Sequence, residues 1–178
     1  MANAIRTGVN VLDFRHVTHH SLHTINLESN IFNAELLLDS MASIEVETII
    51  NATPEKVWEI VSDIDNEPKF WKGTKAVRNL EKNGNKVKRE ITIAFRDQKC
   101  MQEVTLEPKE RIRAKFTEGI IEGEKIISVF LRDEKTILQT VWNIRLTGMM
   151  GMFTGMIKKH IKSGTEQAMQ SIKADIER

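Results

Sequence analysis

The residues ATPEKVWEIVSDIDNEPKFW, numbered 52–71, decide the fold of this 178-residue chain. Thr53 is a favourable N-cap, because its hydroxyl accepts a hydrogen bond from an amide of the first turn that has no partner inside the helix. Pro54 suits the first helical position, where its missing N–H costs nothing. The stretch therefore predicts a capped helix over about residues 54–62 and a second short helix over about residues 67–71.

The residues before these helices predict a strand over 43–50. Apolar and small side chains alternate there with acidic ones, which is typical of a strand with one buried face. Glu45 and Glu47 belong to the outer face. The inner face consists of Ile44, Val46, Thr48 and Ile50.

Further alternating segments follow the helices. Asn83 and Gly84 are a tight-turn signal between residues 74–80 and 86–95, which predicts a hairpin. Four more strands are predicted at about 98–107, 111–118, 124–132 and 136–147, with turn-forming or charged connections at 108–110, 119–123 and 133–135. Since connections this short join antiparallel neighbours, the sequence predicts one meandering sheet.

The last segment has the periodicity of a long amphipathic helix that covers the apolar face of this sheet. The predicted fold is therefore α+β: a curved antiparallel sheet of six to seven strands wrapped around a long C-terminal helix, with two short helices after the first strand. The helical stripe consists of Phe153, Met156, Ile157, His160, Ile161, Gly164, Ala168, Met169, Ile172 and Ile176.

This element order resembles the START-related helix-grip superfamily, also called SRPBCC, with polyketide cyclase/dehydrase-like and coenzyme Q-binding-protein-like members. The resemblance spans about residues 42–178, and its most specific parts are residues 54–71 and the run TGMMGMF at 147–153. It implies a helix-grip fold with a cavity between sheet and helix. Because one fold serves many functions, the resemblance implies the fold far more firmly than the function.

Composition excludes several classes of function. The 26 basic and 25 acidic side chains are interspersed, so no charged field suggests a nucleic-acid partner. No apolar run approaches the roughly 20 residues that span a bilayer, so no stable membrane insertion is predicted and a cytoplasmic location is expected. Without a glycine-rich phosphate loop or a cysteine cluster, no cofactor is expected. The single Cys100 is interpreted as a packed or cavity-lining thiol.

Residues 1–40 differ in composition from the rest of the chain: they contain no lysine and four of the five histidines. They are predicted to be a flexible or loosely docked extension to a single domain at 41–178, although residues 31–38 could instead form a short docked helix. His16, His19, His20 and His23 have helical spacing, yet no cysteine accompanies them and no metal site is predicted. The acidic residues Asp63, Asp65 and Glu67 are interpreted as solvated charge at a helix end.

The cavity expected between sheet and helix gives the candidate site. Arg89 and Gln102 lie in phase with inward apolar residues, so Arg89 either meets a ligand oxygen, lies at the cavity mouth or pairs with an acidic side chain. His160 is either a general acid/base or a rim residue. No catalytic residue is predicted. The predicted ligand-binding residues are Arg89, Ile91, Ile93, Gln102, Val104, Phe116, Thr140, Trp142, Ile144, Met152, Phe153, Met156, Ile157 and His160.

Three functions remain open from the sequence. The favoured one is binding or transport of a hydrophobic small molecule, such as a lipid, isoprenoid, quinone or polyketide-like compound, without catalysis. A cyclase or dehydratase would have only His160, Arg89 and Glu118 as candidate groups. A protein-interaction module, cochaperone-like or ribosome-associated, would use exposed surface, either Trp71 with Lys69 and Lys72 or the N-terminal extension. An open apolar pocket would favour the binding protein. Two titratable groups within reach of each other in that pocket would favour the enzyme, and a closed core with an exposed apolar patch would favour the interaction module.

Overall fold

An open, curved sheet and one long helix form most of residues 42–147 and 154–178, which are the residues that the computed structural model describes. The strands are β1 (Ala42–Ile50), β2 (Thr74–Asn83), β3 (Lys86–Ile93), β4 (Lys99–Glu107), β5 (Arg111–Glu118), β6 (Ile121–Arg132) and β7 (Lys135–Leu146). The helices are α1 (Pro54–Val61), α2 (Glu67–Phe70) and α3 (Thr154–Ile176), and a 3₁₀ turn at Ile64–Asn66 precedes α2.

The described part of the sheet has the order β1-β7-β6-β5-β4-β3-β2, and every neighbouring pair is antiparallel. This confirms the predicted meander and the α+β fold class. β1 and β2 lie at opposite edges, so the segment with α1 and α2 connects one edge of the sheet to the other. α3 then follows the last strand of the meander.

The capping prediction for α1 is confirmed. Thr53 has extended backbone angles, and its Oγ1 accepts a hydrogen bond from the amide of Lys56 at 3.4 Å. Val57 and Val61 form the buried face of the helix. α2 is shorter than predicted and ends at Phe70, where the amide of Trp71 still donates to the carbonyl of Glu67 at 2.9 Å.

α3 has two halves with different environments. In its C-terminal half, Ala168, Met169, Ile172 and Ile176 are almost completely buried in the main core, together with residues of α1 and α2. In its N-terminal half, Met156 is exposed despite belonging to the predicted apolar stripe. The helix therefore closes the sheet at one end and leaves space beneath it at the other.

The strand boundaries differ from the prediction by more than one residue at the end of β2, which is three residues later, at the end of β3, which is two residues earlier, and at the start of β6. Residues 119–123 were expected to be a connection, but β6 begins at Ile121. Gly123 lies inside the strand with φ of +110° and pairs with Phe116 on β5 and Ile144 on β7. A glycine can signal a close backbone approach within a strand as well as a turn.

Some predictions lie outside the described residues: the extension at 1–40 with its histidine pattern, and the site residues Met152 and Phe153. Within the described ranges, no helix combines the length and apolar character needed to cross a membrane. The same ranges contain no cluster of three or more histidine, cysteine or acidic side chains suited to a metal ion.

Candidate functional site

A cavity of about 700 Å³ lies between the sheet and the N-terminal half of α3. This volume is within the range of small-molecule sites, which is about 300–1,000 Å³. Strand residues and helix residues give it a largely apolar lining. The apolar part includes Ile91, Ile93, Phe116, Ile120, Ile121, Trp142 and Leu146 from the sheet side, and Ile157 and Ile161 from α3.

The cavity opens between the β3–β4 turn and the first turns of α3. Phe95 in that turn and Met156 on the helix both line the cavity, and they are 43% and 60% exposed. Arg96 and His160 are further exposed residues of the lining. The opening therefore lies beside the beginning of the last helix.

A charged cluster lies at the buried end of the same cavity. Glu67 on α2 accepts hydrogen bonds at both carboxylate oxygens, from Arg89 Nη2 at 2.5 Å and from Lys125 Nζ. Arg89 also donates from Nη1 to the carbonyl of Ile64 at 2.9 Å and from Nε to Gln102 Oε1 at 2.9 Å. The cluster of Glu67, Arg89, Gln102 and Lys125, called the floor cluster below, joins α2 to three strands of the sheet.

Two tryptophans surround the ammonium group of Lys125. Its Nζ lies 4.3 Å from the ring centroid of Trp71 and 5.3 Å from that of Trp142. The two rings are 6.1 Å apart in an edge-to-face arrangement. Trp142 Nε1 is fixed by donating to Thr165 Oγ1 on α3 at 3.0 Å. The aromatic faces add cation–π attraction, which is stronger where water is excluded.

Opposing effects set the charges of the floor cluster. Burial acts to raise the pKa of Glu67, but the charges of Lys125 and Arg89 and their hydrogen bonds outweigh it and lower that pKa to about 2. The pKa of Lys125 is lowered, chiefly by burial and also by the charge of Arg89, and the carboxylate of Glu67 opposes that shift in part. Glu67 is therefore ionised over the whole physiological range, and its contact with Lys125 favours the charged ammonium.

We expect Glu67 to make stability dependent on acid. Its pKa falls from an ordinary 4.5 to about 2 on folding, so its contribution is fully present above pH 4.5 and is lost as the pH falls toward 2. This shift corresponds to about 3 kcal/mol. Urea denaturation across this window measures it, with Glu67→Gln as the reference. A wild-type pH slope no steeper than that of Glu67→Gln would contradict the assignment.

The structure places the predicted site residues in three groups. Ile91, Ile93, Gln102, Phe116, Trp142, Met156, Ile157 and His160 line the cavity. Met152 and Phe153 lie outside the described residues. Arg89, Val104, Thr140 and Ile144 are buried but are not part of the cavity lining that the structure describes.

Three of the four buried residues outside the lining have a physical reason for their places. Arg89 forms an ion pair with Glu67, which is the predicted alternative in which it pairs with an acidic side chain. Val104 packs in the main core beneath the C-terminal half of α3. Ile144 packs with strand neighbours in a second apolar cluster. Strand alternation places all of these side chains on the inner face, but it cannot tell which part of that face the helix covers.

Two interpretations of polar and aromatic residues were wrong. Glu67 is not solvated helix-end charge, because only 8% of it is exposed. Trp71 is not an exposed interaction residue but a buried part of the cavity wall. Lys125 was missed altogether, although a signal for it existed: it alternates in phase with the buried Ile127 and Val129.

The groups that could act as catalysts are not assembled around the cavity. His160 is exposed at the opening, and Glu118, at the end of β5, is exposed and outside the described lining. Cys100 is buried, and burial raises the pKa of its thiol, which disfavours the nucleophilic thiolate. Glu67 and Lys125 are the titratable groups that meet inside the cavity, and they do so as an ion pair.

An open antiparallel sheet that holds a C-terminal helix above a cavity is the helix-grip fold of START-like proteins. The sequence matches a family model described as polyketide cyclase / dehydrase and lipid transport over residues 41–177. Because the match covers most of the chain, this protein belongs to that family. A comparison with curated proteins gave no match.

Solved structures share the fold at low sequence identity. The aromatase/cyclase Zhui from a Streptomyces species has a TM-score of 0.64 and 17% identity, over 78% of this chain and 94% of that one. A START superfamily protein from Mycobacterium smegmatis gives 0.58 and 20%, over 77% and 97%. The protein TTHA0849 from Thermus thermophilus gives 0.66 and 16%, over 76% and 97%. These similarities support the fold alone.

Proposed function

We propose that this protein binds a hydrophobic small molecule in the cavity between its sheet and the N-terminal half of α3. The observation that carries the proposal is the open cavity of about 700 Å³ with its mainly apolar lining. A monomeric domain gains stability by filling such a space with side chains, so an unfilled apolar cavity that opens to solvent is best explained by a ligand.

The alternatives fit the cavity less well. A protein-interaction module needs no large pocket, and Trp71, its candidate contact, is buried. A cyclase or dehydratase is favoured by one observation, the contact of Glu67 with Lys125 inside the cavity. However, a carboxylate with a pKa of about 2 is a poor general base near neutral pH, since efficient proton transfer needs a pKa near the working pH. The ion pair is better suited to orienting a ligand.

We expect Gly164→Trp to lower the amount of any ligand that co-purifies with the protein by at least about tenfold, because the indole would take up space that the ligand fills and overpacking costs roughly 1–3 kcal/mol. Gly164 lies on α3 in the cavity lining, and an added Cβ there would have no atom within 4 Å. The indole therefore has room to occupy ligand space without a backbone clash. Native mass spectrometry, followed by organic extraction of the adduct, measures the ligand content.

The matched control is Ser163→Trp, the neighbouring exposed position on the same helix and outside the cavity lining. It should retain the adduct of the wild-type protein. A wild-type protein that carries no adduct and also shows no thermal shift with lipids, quinones or aromatic polyketides would refute the proposal.

A further inference from the structure

We propose that the bound molecule carries an anionic oxygen, a carboxylate or an enolate or phenolate oxygen, which Lys125 and Gln102 hold at the buried end of the cavity. This inference rests on the proposed function and specifies its ligand class. The ligand is then an amphipathic monoanion with its charged oxygen innermost and its apolar body toward the opening.

The charge balance of the floor cluster is the first support. Glu67 contributes one negative charge, whereas Arg89 and Lys125 contribute one positive charge each, which leaves one surplus positive charge. Both carboxylate oxygens of Glu67 are already occupied by these two partners. Within the described lining, Glu67 is the only carboxylate, so no second acidic group there balances the surplus.

Two acidic side chains on the same segment as Glu67 do not remove this surplus. Asp65 is half exposed and accepts from Asn79 and Lys82; these hydrogen bonds lower its pKa most, and the charge of Arg89 lowers it least. Asp63 is exposed and accepts from Asn66. Charges at the surface are screened by water and ions, whereas the buried charges of the floor cluster are screened much less. A ligand anion is the partner that could neutralise Lys125 within the low-dielectric cavity.

Unused hydrogen-bond donors are the second and independent support. The guanidinium of Arg89 can only donate, so the atom of Gln102 that faces Arg89 Nε must be the amide oxygen. The amide nitrogen of Gln102 is thereby left for another partner, and it donates to no atom of the described residues. Only 1% of Gln102 is exposed, and the residue lines the cavity. Because Gln102 lines the cavity, a ligand oxygen there could accept a hydrogen bond from this amide nitrogen.

Lys125 offers donors to the same space. Its ammonium has three N–H groups, and within the described residues Glu67 is its hydrogen-bond acceptor. The ring faces of Trp71 and Trp142 attract the ammonium charge of Lys125, but they provide no acceptor oxygen for its N–H groups. The buried end of the cavity thus combines one surplus positive charge with free donors and aromatic walls. An oxyanion attached to an apolar body complements all three.

Two pairs of probes test this inference by isothermal titration calorimetry near neutral pH. Dodecanoate is compared with dodecanol, and naphthoate with naphthalenemethanol, so that each pair differs in the charged group but keeps its apolar body. We expect the acid of at least one pair to bind at least about tenfold more tightly than its alcohol, as a charge-assisted hydrogen bond would give. The pair that binds more tightly shows whether the body is an aliphatic chain or an aromatic system.

Lys125→Met keeps the length of the side chain and removes the charge. It should abolish the preference for the acid, so that the acid and the alcohol of each pair bind with affinities within about twofold of each other. The control is Lys99→Met, since Lys99 is an exposed lysine outside the cavity that pairs with Glu90. It should keep the preference for the acid.

The outcomes separate the two proposals. If the alcohols bind as tightly as the acids to the wild-type protein, the anionic-oxygen inference is overturned and the hydrophobic-binding function stands. If none of the four probes and no extracted ligand binds, the proposed function itself fails. The wild-type comparison decides the inference even if Lys125→Met does not fold.

Discussion

Glu67→Gln is expected to lower the free energy of unfolding by about 3–5 kcal/mol, the usual cost of removing one partner from a buried ion pair. The glutamine has nearly the same shape, but it leaves the charges of Arg89 and Lys125 buried without a counter-charge. Both of these side chains are 96% or more buried, so water cannot replace the carboxylate. Equilibrium unfolding in urea, followed by tryptophan fluorescence, measures the change.

The matched control is Asp65→Asn, two residues earlier in the chain. Asp65 pairs with Lys82 at the surface, where both side chains are about half exposed, so its replacement should change stability by no more than about 1 kcal/mol. The double variant Glu67→Gln/Lys125→Met should recover part of the loss, because it removes one of the two stranded charges. A loss below about 1 kcal/mol for Glu67→Gln would mean that the floor cluster is hydrated and open to water.

The fold was predictable from the sequence because its signals are local. The cap at Thr53 and Pro54 requires only the residues of one helical turn, and the structure has it. Strand alternation and short connections are local as well, and together they specify an antiparallel meander without any knowledge of distant contacts. The apolar side of the cavity follows from the same alternation, which places Ile91 and Phe116 on the inner face.

The polar side of the cavity was not predictable in this way. Glu67 and Lys125 are 58 residues apart in sequence, and neither position alone indicates its partner. Glu67 looks like a solvated acidic residue because α2 is a single turn whose first residue is acidic, as the helix dipole favours. What buries it is the sheet beneath, and that is a tertiary effect. Inward-phased polar residues on different strands, Arg89 and Lys125, were the available sign of a missing carboxylate.

Gly123 shows a different limit of sequence interpretation. A glycine after Gly119 suggested that the connection between β5 and β6 continued to residue 123, whereas the structure has Gly123 within β6. The residue is needed there for two reasons: its φ is +110°, and the backbone of β7 passes very close to it. The backbone angle and the close contact with β7 both depend on how the strands pair, and neither can be predicted from the local sequence.

Gly123→Ala is therefore expected to lower the free energy of unfolding by about 3 kcal/mol, from a strained backbone and steric overlap together. A Cβ at this position would lie 2.1 Å from the carbonyl oxygen of Asn143 and 2.9 Å from the Cα of Ile144. Backbone atoms of a paired strand cannot move aside as the end of a flexible side chain can, so β6 and β7 must separate locally. Urea denaturation measures the loss.

The control is Gly164→Ala, where no atom lies within 4 Å of the added Cβ and the backbone is helical. That variant should gain about 0.5–1 kcal/mol, the usual advantage of alanine over glycine inside a helix. Gly123 lies on β6 between Ile121 and Lys125, which both line the cavity. Gly123→Ala should therefore weaken ligand binding as well as lower stability. A Gly123→Ala protein as stable as the wild type would show that β6 can lose this close contact with β7, and that the curvature of the sheet at the cavity does not depend on it.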